Sequence, residues 1–558
     1  MKKILRYLAV KAMILKGRYD IRCMNKNANN ARAVNDKVLM EILRTNRNCE
    51  YGKKYGFADI HSVEEFRKKV PIITYEDIRP QVERMYYKNE SGLITSRKII
   101  GYATSSGSIG TPKLIPRTNK DIRIYTKYTV TRFLALADQY LRKNGLHRLK
   151  PARGTCLLTR YDVLSPFGLP STNVADIAAK KYFFIYPYIL VLPLGKQFAG
   201  EEIDIKYACA RFGLEDKDCS FLFYVFSKGV AEYVEYIRDN WQLLVEDIER
   251  GTISPTVRVR EDIRAQLQKQ MKPDPERAAE LRTEFEIGFD RTIISRVWPN
   301  LSVISAIGTS ASFEGFTETI KSYTDGVPFD YSIYGASEGL IAAAYEVNNP
   351  GQLLLTDSCY YEFFDPEDES GTILSLDELE VGKNYEILVT NRSGFYRYRL
   401  KDIIHVMGYH GTCPIVNFVY RTGQLLNVTG EKTTMEQMNE VIKRFETLVG
   451  TKIKEWAVFV DKSESQYRYG ILTETADSRD LSSFTEEFEQ LLRDVNTSYR
   501  FYEGNNLIDP PVILNQRPGT HEEWRQMKIA AHASPDQVKP VRILDTAEKR
   551  EFFLGRTC

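Results

Sequence analysis

Thr104-Ser105-Ser106-Gly107-Ser108-Ile109-Gly110-Thr111-Pro112-Lys113 is the stretch on which the reading of this chain turns. It is a hydroxyl- and glycine-rich loop closed by Pro-Lys. Backbone N–H groups, the hydroxyls of Ser105, Ser106 and Ser108, and the Lys113 ammonium together suit a polyphosphate. Gly107 lets the main chain approach phosphate oxygens in dihedrals closed to other residues. The loop follows a β-like run, Lys98–Ala103, and precedes an apolar-periodic segment from Ile122 onward. The other common phosphate loop, Gly-x-x-x-x-Gly-Lys-Ser/Thr, is excluded because the residues reached from Gly107 are Pro112-Lys113. Taken alone, a flexible Gly/Ser turn explains the loop equally well.

Working outward, 558 residues exceed the limit of a single hydrophobic core, so at least two domains are expected. With 77 Lys and Arg against 74 Asp and Glu, the net charge of +3 argues against a dedicated nucleic-acid binder. Eight cysteines lie scattered without a Cys-x-x-Cys pair, which fits reduced thiols in the cytoplasm better than a disulfide framework or a zinc site. His405 and His410 lack a third nearby ligand. The N-terminus is basic and then apolar, but Arg6, Lys11 and Lys16 interrupt it, so a docked helix with Ile4, Leu8, Met13 and Leu15 inward is expected rather than a secretory signal. No apolar run reaches membrane-spanning length.

Residues 1–100 read as mostly helical. From about 100 to 420, short apolar runs (Tyr182–Leu192, Phe221–Phe226, Val303–Ile307, Tyr385–Thr390) alternate with helix-like stretches such as Lys228–Arg250. That alternation predicts an α/β domain with partly parallel sheets. A glycine-punctuated stretch at Thr422–Lys432 reads as a hinge. After it come a helix from Met435, strands at Glu455–Asp461 and Arg468–Thr473, and a helix at Phe484–Asn496, a small α+β domain. The division is placed at 1–424 and 425–558.

Three further motifs accompany the loop. Tyr334-Gly335-Ala336-Ser337-Glu338-Gly339 is expected to follow a strand and open a helix at Leu340–Glu346. Glu338 then either complements the helix dipole or binds Mg²⁺ on a nucleotide, with Tyr334, Gly335, Ala336 and Ser337 against the adenine. In Gly394-Phe395-Tyr396-Arg397-Tyr398-Arg399-Leu400-Lys401-Asp402, strand alternation sets Tyr396 and Tyr398 opposite Arg397 and Arg399. Asp402 suits the two hydroxyls of a ribose, or pairs with Arg399 or Lys401. Near the C-terminus, Pro518-Gly519-Thr520 and Gln537-Val538-Lys539 place a lysine where a swinging ammonium can meet a phosphate, or where it is merely solvated.

In this order and spacing the motifs resemble the adenylate-forming (acyl-AMP-forming, luciferase-like) superfamily. More fully, they resemble its acyl acid–amido synthetases, the auxin-responsive Gretchen Hagen-type family. The family-specific portion runs from Gly394 to Thr434: Phe395–Arg399, Asp402, Gly408-Tyr409-His410, Pro414, Phe418-Val419-x-Arg421 and Glu431-Lys432-Thr433. Ile307-Gly308-Thr309 and Tyr360–Phe363 fit as well. Two positions depart from the pattern. Lys401 stands where the family has Gly before its ribose-binding Asp, and in Lys539-Pro540-Val541-Arg542 the proline is shifted by one.

The resemblance implies a large N-terminal adenylate-forming domain with sheets flanked by helices, plus a small mobile C-terminal α+β domain. It implies a carboxylate attacking the α-phosphorus of ATP, then an amino acid amine displacing AMP. Glu338 would hold Mg²⁺, Lys539 would stabilise charge on the α-phosphate, and Asp402 would hold the ribose. Thr309, Tyr396, Arg421 and Lys432 join the nucleotide-binding set. The acyl pocket is expected near residues 125–136, 164–174, 221–226 and 307–313. An acyl-CoA ligase and a catalytically silent nucleotide-binding protein are the competing readings. The expected partners are a small carboxylic acid and an amino acid, with no nucleic acid, membrane or obligate protein.

Overall fold

The computed structural model describes residues 2–104, 113–146, 154–156, 163–182, 186–192, 198, 201–290, 292–309, 314–366, 368, 371–421, 426, 431, 433–461, 467–504, 508–531 and 538–558. These divide into two compact units. Among the described residues, the larger comprises those within 2–104, 113–400 and 404–418, and the smaller 401–403 and those within 419–558. Past the 401–403 segment, the chain passes into the smaller unit at Phe418–Val419.

The larger unit carries three sheets. Four parallel strands, Gly154–Cys156, Phe221–Phe226, Val303–Ile307 and Phe329–Asp330, lie in that order. Phe221–Phe226 and Val303–Ile307 are fully formed from the apolar runs expected to build them. The helix Ser227–Arg250 leaves the first of them and packs Val230, Val234, Ile237, Leu244 and Ile248 into a core with Trp298. A second sheet sets Ile99–Thr104 between Leu114–Thr118, antiparallel, and Ser171–Thr172, parallel. Thr104 pairs with Leu114, so the strands flanking the Ser/Gly loop face each other across one register. The third sheet has seven strands in the order Tyr360–Phe364, Asn384–Thr390, Tyr398–His410, Cys413–Arg421, Gln352–Leu354, Gly339–Ala344 and Ile333–Ala336.

Three expectations are corrected here. Leu340–Glu346 is no helix: Gly339–Ala344 is a strand buried along its whole length and paired with Ile333–Ala336, so the glutamate motif is a hairpin turn. Tyr182–Leu192 is no strand, since its described parts close the helix Val174–Tyr182 and form the short helix Tyr186–Ile189. The N-terminal helix Lys2–Ala28 buries Val10, Met13 and Ile14 against Phe133, Leu134, Ala137 and Leu141, while Leu8 and Leu15 face solvent.

In the smaller unit, Ile453–Asp461 pairs antiparallel with Arg468–Thr475, which pairs parallel with Val512–Asn515. Strand alternation serves two cores. Val458 and Ile471 pack on the helices Met435–Val449 and Thr485–Val495, whereas Ala457, Phe459 and Leu472 pack on Trp524 and Phe553.

Candidate active site

The Ser/Gly loop residues Ser105, Ser106, Gly107 and Ser108, with Lys432, lie outside the described residues, as does most of the hinge. Lys113 is described. Its ammonium stands 3.1 Å from the Tyr398 hydroxyl, over the rings of Tyr75 (5.6 Å) and Tyr398 (5.8 Å). The Leu114 amide donates to the Tyr75 hydroxyl at 2.9 Å, fixing that ring beside the end of the loop. Two aromatic faces and a hydroxyl thus restrain a cation that otherwise has four rotatable bonds.

The turn that presents Glu338 is held from both sides. Arg117, buried on the strand that leaves the loop, donates through Nη1 to the carbonyls of Ser337 (3.2 Å) and Glu338 (3.3 Å). Asn391 Nδ2 donates to the same Glu338 carbonyl at 2.7 Å. The Asn391 Oδ1 accepts from the amides of Ser393 (2.9 Å) and Phe395 (3.1 Å), at the start of the Gly394–Asp402 motif. Ser393 in turn donates to Asp121, which caps the helix Asn119–Tyr128. One polar chain therefore ties together the strand after the first motif, the turn of the second and the entry to the third. Neither Arg117 nor Asn391 was anticipated from sequence. The one available signal was a guanidinium inside the buried run Leu114–Thr118, which obliges a specific acceptor.

Glu338 is itself buried, and among the described residues no cation pairs with it. No three His, Cys, Asp or Glu side chains among the described residues gather as a metal cage. A lone buried carboxylate fits Mg²⁺ that arrives with phosphate oxygens as its other ligands, the usual arrangement for this ion. Tyr334 lies 5.5 Å from Phe418, ring to ring, while Gly335 is exposed. Gly339 has no room for a side chain: a Cβ there would meet the Cys359 sulfur at 2.7 Å. Thr309 follows the parallel strand Val303–Ile307 at its carboxyl end, the usual position of ligand-facing loops in such sheets.

The aromatic-arginine run is largely architecture. Tyr396 is fully enclosed, stacked on Tyr51 at 4.8 Å, and its hydroxyl donates to the Ile94 carbonyl at 2.8 Å. That enclosure removes it from the nucleotide-facing set. Arg397 donates to the buried Glu362 (3.0 Å), which also accepts from Arg67 (3.1 Å), and Arg399 grips Glu386 with two bonds. Of the four side chains, Tyr398 alone bears on the candidate site, through Lys113.

The smaller unit gathers the remaining residues. Asp402, buried on its strand, accepts from Arg421 Nε at 2.6 Å. Of the alternatives Arg399 and Lys401, neither is its partner: Arg399 holds Glu386, and Lys401 takes a left-handed backbone (φ +64°) with an exposed side chain. That is the conformation glycine adopts freely.

Lys539 is no loose tail. Two residues on, Val541 is buried. The Arg542 guanidinium binds Glu455 (2.8 Å) and the Trp456 carbonyl (2.8 Å), and the Leu544 amide donates to Val458 at 2.9 Å. This added edge segment carries Lys539 into the field of Arg421 and Asp402. Lys539 is an exposed residue, yet protein groups crowd its ammonium. Desolvation first, and then the Arg421 guanidinium, push the ammonium below the usual lysine range, with Asp402 opposing them. Glu431, beside the undescribed Lys432, is buried and accepts from the Tyr469 hydroxyl, so the end of the hinge segment is fastened to the smaller unit.

Of the expected acyl pocket, Phe221, Leu222 and Tyr224 are core side chains, whereas Leu164 and Phe167 are exposed.

Comparison with known proteins agrees along the chain. Residues 20–329 match the GH3 family N-terminal domain, 352–421 the central domain and 436–548 the C-terminal domain. The indole-3-acetic acid-amido synthetase GH3.8 of Oryza sativa subsp. indica is 29% identical over 94% of this chain and 90% of its own length. The probable indole-3-acetic acid-amido synthetase GH3.1 of Arabidopsis thaliana is 26% identical over 94% and 91%. Among solved structures, the GH3.15 acyl acid amido synthetase superposes with a TM-score of 0.82 at 23% identity, covering 96% of this chain and 95% of that one. A 2-hydroxyisobutyryl-CoA ligase in its postadenylation state superposes at 0.52 and 13% identity, covering 93% and 90%. The fold is therefore that of adenylate-forming enzymes, and the chain belongs to the GH3 family.

Proposed function

We propose that this chain is an AMP-forming acyl acid–amido synthetase. The observation that carries the reading is the match to all three GH3 segments in order, over residues 20–548. In the first half-reaction a carboxylate oxygen attacks the α-phosphorus of ATP and pyrophosphate leaves. In the second, an amino acid amine attacks the acyl carbonyl of the adenylate, AMP leaves, and the amine surrenders a proton.

The first step brings two anions together, so its demands are positional and electrostatic. Lys113, restrained by Tyr75 and Tyr398, meets the β- and γ-phosphates along with the Ser105, Ser106 and Ser108 hydroxyls. Glu338, on a turn that Arg117 and Asn391 keep in place, would hold Mg²⁺, which would supply neutralising charge to the departing pyrophosphate. Asp402 accepts from the ribose, with Arg421 beside it, and Lys539 meets charge building on the α-phosphate. Thr309 borders the acyl group. Relatives are named for indole-3-acetic acid, and the solved GH3.15 was also captured in complex with 2,4-DB, which supports a hydrophobic carboxylic acid as the acyl substrate.

The test is pyrophosphate release from Mg-ATP with pooled hydrophobic acids, with and without pooled amino acids, products being identified by mass. Release with a new acyl–amino acid mass is expected. Acyl-CoA formation on adding CoA, with no amide, would replace this reading by that of a CoA ligase.

A further inference from the structure

The N-terminal helix Lys2–Ala28 carries more than its docking requires. Its inner face is settled: Val10, Met13 and Ile14 lie against Phe133, Leu134 and Ala137, and Ile21 against Ala135 and Leu136. Gly17 sits at the crossing, where a Cβ would come within 2.0 Å of the Thr131 carbonyl oxygen, and Arg18 pairs with Asp138. The helix is fixed in rotation, so its other face is committed outward.

That outer face is apolar and basic at once. Leu8, Leu15 and Tyr19, spaced i, i+7 and i+11, fall on one stripe and are 54%, 55% and 62% exposed, with Tyr7 beside them at 45%. Arg22 and Lys26 continue the stripe, and Lys11 flanks it over the Tyr7 ring. The helix holds eight Lys and Arg against one Asp, +7, whereas the whole chain is only +3. The remainder, with 69 basic and 73 acidic residues, is −4. The single acid, Asp20, is buried and spent on Lys16.

We propose that this face docks on an anionic lipid surface, a partner that the sequence alone gave no reason to expect. A basic helix with exposed leucine and tyrosine lies in a membrane interface, its apolar residues among the acyl chains and its cations among the headgroups. Each Lys or Arg near such a surface adds to the attraction. Charge disfavours a second copy of the chain as the occupant, since two such basic faces repel. Leu8 and Leu15 gain nothing from a phosphate backbone, which disfavours nucleic acid. The proposal does not depend on the chemistry proposed above.

The purified full chain is sedimented with vesicles of phosphatidylcholine alone and of phosphatidylcholine mixed with phosphatidylserine. Binding to the mixed vesicles only is expected, weakening as salt rises from about 0.1 to 1 M and the Debye length shrinks from ~10 to ~3 Å. Leu8→Glu with Leu15→Glu lowers the bound fraction about tenfold or more. Pyrophosphate release and thermal midpoint stay unchanged in this variant, because both leucines are exposed. Arg22→Glu with Lys26→Glu removes the preference for anionic lipid. Absence of binding to mixed vesicles overturns the proposal, and so does binding that the leucine variant leaves intact. A dimer in sedimentation velocity that this variant dissociates assigns the face to a second copy and overturns it too, as does tighter binding to duplex DNA than to vesicles at equal salt.

Discussion

The Glu338 turn and the Asp402–Arg421–Lys539 group are held by opposite means. The turn's carbonyls accept three bonds from two buried donors, Arg117 and Asn391, each anchored in another element. Asp402 pairs with a half-exposed guanidinium, and Lys539 stands in the field of both. Groups bonded from both sides in the interior keep one position through the reaction, whereas charged pairs that reach solvent can change partner. A metal-holding carboxylate benefits from the first arrangement. Groups that meet a nucleotide on binding and release it afterward benefit from the second.

That contrast can be broken by mutation. The largest effect is expected at Lys539→Ala, which lowers the rate of pyrophosphate release about 10²–10³-fold, the scale of one well-placed charge-stabilising donor. A rate within about twofold of wild type removes the lysine from that role. Next, Arg117→Met releases the turn and lowers adenylation about 10²-fold through misplacement. The Mg²⁺ concentration for half-maximal rate should rise with it. An unchanged Mg²⁺ requirement reduces Arg117 to a packing residue.

Asp402→Asn should weaken ATP binding about 10- to 100-fold in calorimetry, in line with the ~1.5–3 kcal/mol of a charged-acceptor hydrogen bond. The pH profile sharpens the comparison further. In its proposed role Lys539 works as the ammonium, whose pKa is depressed, so adenylation should fail on the alkaline side below the ordinary lysine range. Arg421→Gln removes a depressing charge and moves that limb to higher pH, while Asp402→Asn moves it lower. Shifts of the opposite sign would separate Lys539 from both groups.

The smallest effect belongs to Lys401→Gly, which relieves a left-handed backbone of about 1 kcal/mol and raises the thermal midpoint slightly. A lower midpoint would mean that the lysine side chain repays its strain.

Legibility from sequence followed the range of the interactions. Phe221–Phe226 is a continuous apolar run and Val303–Ile307 one broken only by Ser305, both within a parallel sheet, and such runs announce themselves. Gly339–Ala344 deceived because its leucine and alanines favour helix, a preference overridden by burial of both strand faces. In the N-terminal helix, apolar residues on two sides gave periodicity no means of choosing the buried stripe. Asp402 and Lys539 were reachable by motif, but the pairing of Asp402 with Arg421 joins positions nineteen residues apart, on two strands. Arg117 acts across 221 residues on a carbonyl that carries no side-chain signature, so nothing local to the sequence could name its target.

Gly339 has one more consequence, because the atom that leaves it no room is a thiol sulfur. Cys359 is 2% exposed, and burial pushes its thiol up to about 11, so at neutral pH it is closed to electrophiles on grounds of both access and ionisation. Alkylation must wait until the strands beside it part, and any adduct then prevents them from closing. The rate at which a maleimide captures Cys359 therefore clocks the spontaneous opening of the sheet edge that carries Glu338. Saturating Mg-ATP should slow that clock, turning a buried cysteine without a chemical role into a built-in gauge of ligand-induced rigidity.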